Sequence, residues 1–184
     1  MRLFAALPVG GEAGAELARW LARFQGRGWP VRWVRPEGLH LTLKFLGTVE
    51  ESRVPAVEQA FVAACVGTPS LSLSLRDFGT FPAARRPRVI WAGLEADPAL
   101  ELLAHRLESQ FEALGFPVEG RPFRPHVTLG RIKEGKWLPG DVAAELQEAH
   151  PAASHLADRV VLFESQPGAG GARYRVVREV RLAS

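Results

Sequence analysis

Apolar and polar residues alternate in some stretches of the chain and recur every third or fourth place in others. Leu71-Ser72-Leu73-Ser74-Leu75 alternates strictly, the signature of a strand with one buried face. Strands are predicted over residues 1–7, 39–46, 71–75, 88–94, 125–132, 159–165 and 172–182. Helices are predicted over residues 12–24, 52–66, 97–114 and 141–148. Ala13, Leu17, Trp20, Leu21 and Phe24 share one face of the first helix, and Val54, Val57, Phe61 and Ala64 share one face of the second. The third helix opens at Asp97-Pro98, a capping side chain followed by a proline that tolerates the first turn. It closes at Gly115-Phe116-Pro117. The Gly- and Pro-rich stretch from Gln166 to Gly171 reads as the turn of a C-terminal hairpin.

The order is therefore β, α, β, α, β, β, α, β, α, β, β, with strand–helix–strand in each half. This points to an α+β fold built from a duplicated β-α-β unit. Two antiparallel sheets are expected to face each other across a central cleft, with helices outside, as one bilobal domain over residues 1–184.

Composition narrows the class. The chain has 184 residues, 47% hydrophobic and 23% charged, as soluble globular proteins do. The apolar N-terminal run is too short for a secretory signal, and a cytoplasmic protein without membrane association is expected. The single cysteine, Cys65, excludes an internal disulfide and a cysteine-built zinc site, and it reads as a buried thiol. A net charge of +3 permits a polyanionic partner without requiring one.

The chemistry is concentrated in a tetrapeptide that occurs twice, His40-Leu41-Thr42-Leu43 and His126-Val127-Thr128-Leu129. On a strand, His and Thr at i and i+2 point one way and the aliphatics point the other. Two imidazoles offer an acid and a base near neutral pH, and two hydroxyls offer donors to an anion. In-line displacement at phosphorus is well served by that set. Lys44 has the strand parity of His40 and Thr42, so a regular strand would aim it into the cleft, where it is either a point charge for a phosphate or a solvated strand-end lysine. Arg131 has the parity of the buried aliphatics, so either the strand bulges there or the guanidinium reaches round to an anion or a carboxylate. His105, His150 and His155 form no ligand spacing with the motif pair, and no metal is expected. The cluster Arg85-Arg86-Pro87-Arg88 is either a solvated loop or an electrostatic contact to a nucleic-acid backbone. Trp33, Phe81 and Trp91 are expected in the core rather than as stacking platforms.

The residues from Trp33 through His40-Leu41-Thr42-Leu43-Lys44-Phe45-Leu46-Gly47 resemble the first signature of the RNA 2′,3′-cyclic phosphodiesterases, historically named 2′-5′ RNA ligases, of the two-histidine phosphoesterase superfamily. Phe123-Arg124-Pro125-His126-Val127-Thr128-Leu129-Gly130-Arg131 resembles the second signature, and the stretch from Phe78 to Gly93 is also similar. The resemblance implies hydrolysis of RNA or nucleotide 2′,3′-cyclic phosphate ends to 2′-phosphomonoesters, with no cofactor and no metal. It implies His40 as proton donor to the leaving oxygen, His126 as the base that activates water, and Thr42 and Thr128 on the phosphate. Arg131 and Lys44 are possible substrate contacts, and a monomer is expected. The residues alone leave the acid and base roles open. The pattern often has Ala where Gly130 stands. A binding module without turnover, and 2′-5′ ligation by reversal on the same site, are the alternative functions.

Overall fold

A computed structural model describes residues 1–83 and 86–184. The elements run in chain order β1 (Arg2–Pro8), α1 (Gly11–Gln25), β2 (Val31–Trp33), β3 (His40–Thr48), α2 (Val54–Cys65), β4 (Leu71–Phe81), β5 (Val89–Leu94), α3 (Pro98–Glu112), β6 (His126–Ile132), α4 (Val142–Glu148), β7 (Ser154–Ala157), β8 (Arg159–Gln166) and β9 (Arg173–Arg181). The four expected helices form. In α1 the spacing of Ala13, Leu17, Leu21 and Phe24 becomes a buried stripe. In α3 the Asp97 carboxylate accepts from the backbone N–H groups of Ala99 and Leu100, the cap its position promised. Two short strands, β2 and β7, were not expected from pattern. Each is too brief to show a period and exists because a longer strand, β6 or β4, lies open beside it.

The mixed α+β architecture forms, and one detail of the expected arrangement changes. Among the described residues the strands make one hydrogen-bonded path, β7-β4-β5-β6-β3-β1-β8-β9, with β2 added on β6. They do not make two separate sheets. The join at the middle is one residue pair, Leu41 beside Val127. About that pair the order reads the same in both directions: β3 matches β6, β1 matches β5, and β8 matches β4. The duplication is therefore real but exchanged. The strand that follows α2 pairs with β5 of the second repeat, and β8 returns to pair with β1 of the first. Neither half of the path is one contiguous half of the sequence.

One face of the sheet carries the core. Leu41, Leu43, Val127 and Leu129 are buried there, and α2 packs on α3. Cys65 lies inside this core, and burial pushes its thiol up to about 12, so it stays protonated and inert. No described helix is long and apolar enough to cross a membrane.

Candidate active site

His40 and His126 each begin a central strand, and the Leu41–Val127 pair makes those strands antiparallel neighbours. Continuing that register one residue each way sets His40 beside Thr128 and Thr42 beside His126. All four residues are half-buried, on the face opposite Leu41 and Val127. The two motifs thus meet side by side on one surface, with the pseudo-two-fold axis between them.

The same local device orients both rings. His40 Nδ1 lies 2.7 Å from the Gly38 carbonyl, and His126 Nδ1 lies 2.8 Å from the Arg124 carbonyl. A carbonyl only accepts, so Nδ1 carries the proton in each ring and Nε2 is left for chemistry. An aromatic edge then packs each ring in place. Tyr174 meets His40 at 5.1 Å and 85°, and Phe81 meets His126 at 5.1 Å and 84°.

A bulge in each strand decides the secondary candidates. Pairing of β1 with β3 skips Leu43, and pairing of β5 with β6 skips Leu129, the matching residue. Each bulge turns the strand by one residue. Lys44 therefore leaves the face that regular alternation gave it. It is buried against α3, where its Nζ pairs with Glu108 and donates to the Pro117 carbonyl at 2.6 Å. The expectation that Lys44 touches substrate is corrected: its charge is occupied on the far side of the sheet. Arg131 moves the other way. It is exposed on the His/Thr face, and its charge is felt by both His40 and Tyr174.

The residue at Arg131's place in the first repeat is Phe45, which pattern reading left unremarked. It is 59% exposed, with its ring 5.7 Å from Phe4, which in turn lies 5.1 Å from His40. Laying one motif over the other would have found it, because Phe45 and Arg131 both stand five residues past a motif histidine. Tyr174 was also missed, since β9 carries no motif. Phe81 and Trp91, expected in the core, instead line the His126 side, half-buried and 5.1 Å apart. Trp33 does pack inward, stacked on Phe24. Gly130, where the family pattern often has Ala, must be bare here. A Cβ would collide with Val31 Cγ1, and it would meet Trp33 Cε3 at 2.9 Å, both from β2.

Burial and charge distinguish the two rings. Desolvation holds His40 below its ordinary 6.5; the bond to the Gly38 carbonyl opposes this, and Arg131 and His126 reinforce it. Burial raises the Tyr174 hydroxyl against the opposing pull of Arg131, so it stays a protonated donor. Among the described residues no three His, Cys, Asp or Glu side chains converge as a metal-ligand set. Arg85 of the loop cluster lies outside the described residues. Arg88 donates to the carbonyls of Ile132, Lys133 and Lys136 and so braces the backbone.

A surface with two paired imidazoles, two hydroxyls and an unengaged guanidinium suits an anion that must gain and lose a proton. The profile of the 2′-5′ RNA ligase superfamily matches residues 14–169. The chain belongs to that superfamily. It is 31% identical to an RNA 2′,3′-cyclic phosphodiesterase of Thermotoga maritima, over 97% of this chain and 94% of that one. Two crystal structures share its fold along nearly their whole length. TT0787 of Thermus thermophilus has a TM-score of 0.82 and 28% identity, covering 99% of this chain and 98% of that one. Escherichia coli LigT complexed with 3′-AMP has a TM-score of 0.79 and 29% identity, covering 100% and 98%. The superfamily resemblance carried by the two motifs thus holds for the chain as a whole.

Proposed function

We propose that this chain hydrolyses 2′,3′-cyclic phosphate ends of RNA or nucleotides to 2′-phosphomonoesters, with its two histidines as acid and base. The observation that carries the reading is the Leu41–Val127 pair, which brings both His-x-Thr motifs to one surface with both Nε2 atoms unengaged. In the proposed reaction His126 Nε2 takes a proton from water as the water oxygen bonds to phosphorus. The bond from phosphorus to the 3′-oxygen breaks, and His40 Nε2 delivers a proton to that oxygen. Exchange with solvent restores both rings. The Thr42 and Thr128 hydroxyls donate to the non-bridging oxygens, and the Arg131 guanidinium adds fixed positive charge where negative charge grows. Phe45 offers an exposed π-face to a base at the opposite side of the dyad from Arg131.

The direction of proton flow follows the superfamily resemblance, and the electrostatics accommodate it. Burial disfavours the charged form of His40, and a phosphate anion placed beside it would draw its pKa back up, favouring the loaded donor when substrate binds. The enzyme would work as a monomer, because one chain supplies both motifs. The test is incubation with a nucleoside 2′,3′-cyclic phosphate in EDTA and identification of the product isomer. Release of the 2′-phosphate is expected. Release of the 3′-phosphate would reverse the polarity, and tight 2′-phosphate binding without turnover would leave a binding module.

A further inference from the structure

Beyond Arg131, the end of β6 carries features that neither the fold nor the proposed chemistry uses. Arg32 on β2 is the direct cross-strand partner of Arg131. Like charges placed opposite on neighbouring strands repel, and neither arginine makes an ion pair among the described residues. Just past the strand, Trp137 is 56% exposed, with the Arg86 guanidinium 4.7 Å from its ring centroid. Lys133 and Lys136 are exposed beside it, and Glu134 is the one acidic residue between Arg131 and Gly140. The segment is held in place: besides the three Arg88 contacts, the Ile132 N–H donates to the Arg88 carbonyl and the Lys133 N–H to the Pro30 carbonyl.

An anchored aromatic ring amid unpaired cations is the surface that single-stranded nucleic acid recognises. Phosphates follow the charge, and bases stack on the ring without regard to sequence. The place also fits. Arg131 lies five residue steps along the strand from His126, roughly 16 Å if fully extended. Trp137 follows six residues later, and on this reading a mononucleotide at the histidines would stop short of it, whereas a polynucleotide would reach it.

We propose that Arg32, Arg86, Lys133, Lys136 and Trp137 form a subsite for the RNA chain on the 5′ side of the cyclic end. Oligoribonucleotides are then the preferred substrates. This rests on the reading of the His-x-Thr surface given above.

The test compares a 2′,3′-cyclic mononucleotide with a pentaribonucleotide ending in a 2′,3′-cyclic phosphate. It uses the wild type, Trp137→Ala and the double variant Lys133→Ser/Lys136→Ser. Binding of a fluorescently labelled pentaribonucleotide is measured in parallel, independently of turnover. Trp137→Ala is expected to weaken pentaribonucleotide binding about five- to tenfold and to raise KM for it correspondingly. Mononucleotide kinetics and Tm should be unchanged. The double lysine variant should flatten the salt dependence of binding by roughly one unit of slope per lysine. Unchanged RNA binding in Trp137→Ala, or an equal loss on both substrates, would overturn the subsite. If the wild type turned over neither substrate but Trp137→Ala still lost RNA affinity, the hydrolase reading would fall and the subsite would stand.

Discussion

The His40 and His126 strands share register, bulge and a carbonyl that sets the tautomer, yet their surroundings differ. His40 sits among Phe4, Phe163 and Tyr174, with ring centroids at 5.1, 6.3 and 5.1 Å. The ring contact to His126 comes from Phe81. One bulge delivers an exposed phenylalanine to the shared face, and the other delivers an arginine. The duplicated frame supplies matched geometry, while the substitutions on it supply unequal solvation and charge. Unequal environments around two like groups are what separate an acid from a base.

The comparison breaks most visibly if either ring is removed. His40→Ala and His126→Ala are each expected to lower kcat by about 10²–10⁴ with the fold retained. Steady-state kinetics with circular dichroism checks this, and full activity in either variant would end the two-histidine reading. Removing a hydroxyl should cost less: Thr42→Val and Thr128→Val are each expected to lower kcat by about 10². A loss confined to one threonine would show that the phosphate sits off the dyad.

Lys44 sharpens the contrast between the two faces of the sheet. Lys44→Met leaves the Glu108 carboxylate and the Pro117 carbonyl without their cation. It should destabilise the fold by about 2–3 kcal/mol in urea titration and leave kcat/KM unchanged. A selective rise in KM would return Lys44 to the substrate face.

Smaller effects lie in pH. If His40 donates, only its protonated form is productive, and its lowered pKa centres the alkaline limb of kcat/KM below pH 6.5. Arg131→Ala removes a cation that lowers it, so the limb should move up. A limb that does not move would assign it to another group. The smallest effect is on stability. Between the lowered folded value and the unfolded 6.5, the unfolded chain binds the extra proton, so stability rises with pH through that window and is level above it. His155, also lowered by burial, adds in the same sense. Tm measured from about pH 5 to about pH 8 should show the rise, with a smaller one in His40→Asn.

Much of the fold and the centre of the site were legible because they rest on local rules. Helical stripes such as Ala13 to Phe24, the Asp97 cap and the alternation at Leu71 to Leu75 depend on near neighbours. The His-x-Thr repeat was readable for the same reason, since two residues at i and i+2 on any strand share a face. The bulges at Leu43 and Leu129 were not readable, because a skipped residue is a property of pairing with β1 and β5. Lys44 and Arg131 exchanged faces for that reason. The joining of the described strands into one sheet, the exchange of β4 and β8 between the two halves of the path, and the Tyr174 edge on His40 were likewise settled by partners distant in the chain. The amino-acid order determined the two motifs, the helices and the duplication. Long-range strand pairing decided which side chains reach the common surface, because one residue of register is enough to carry a charge from one side of a sheet to the other.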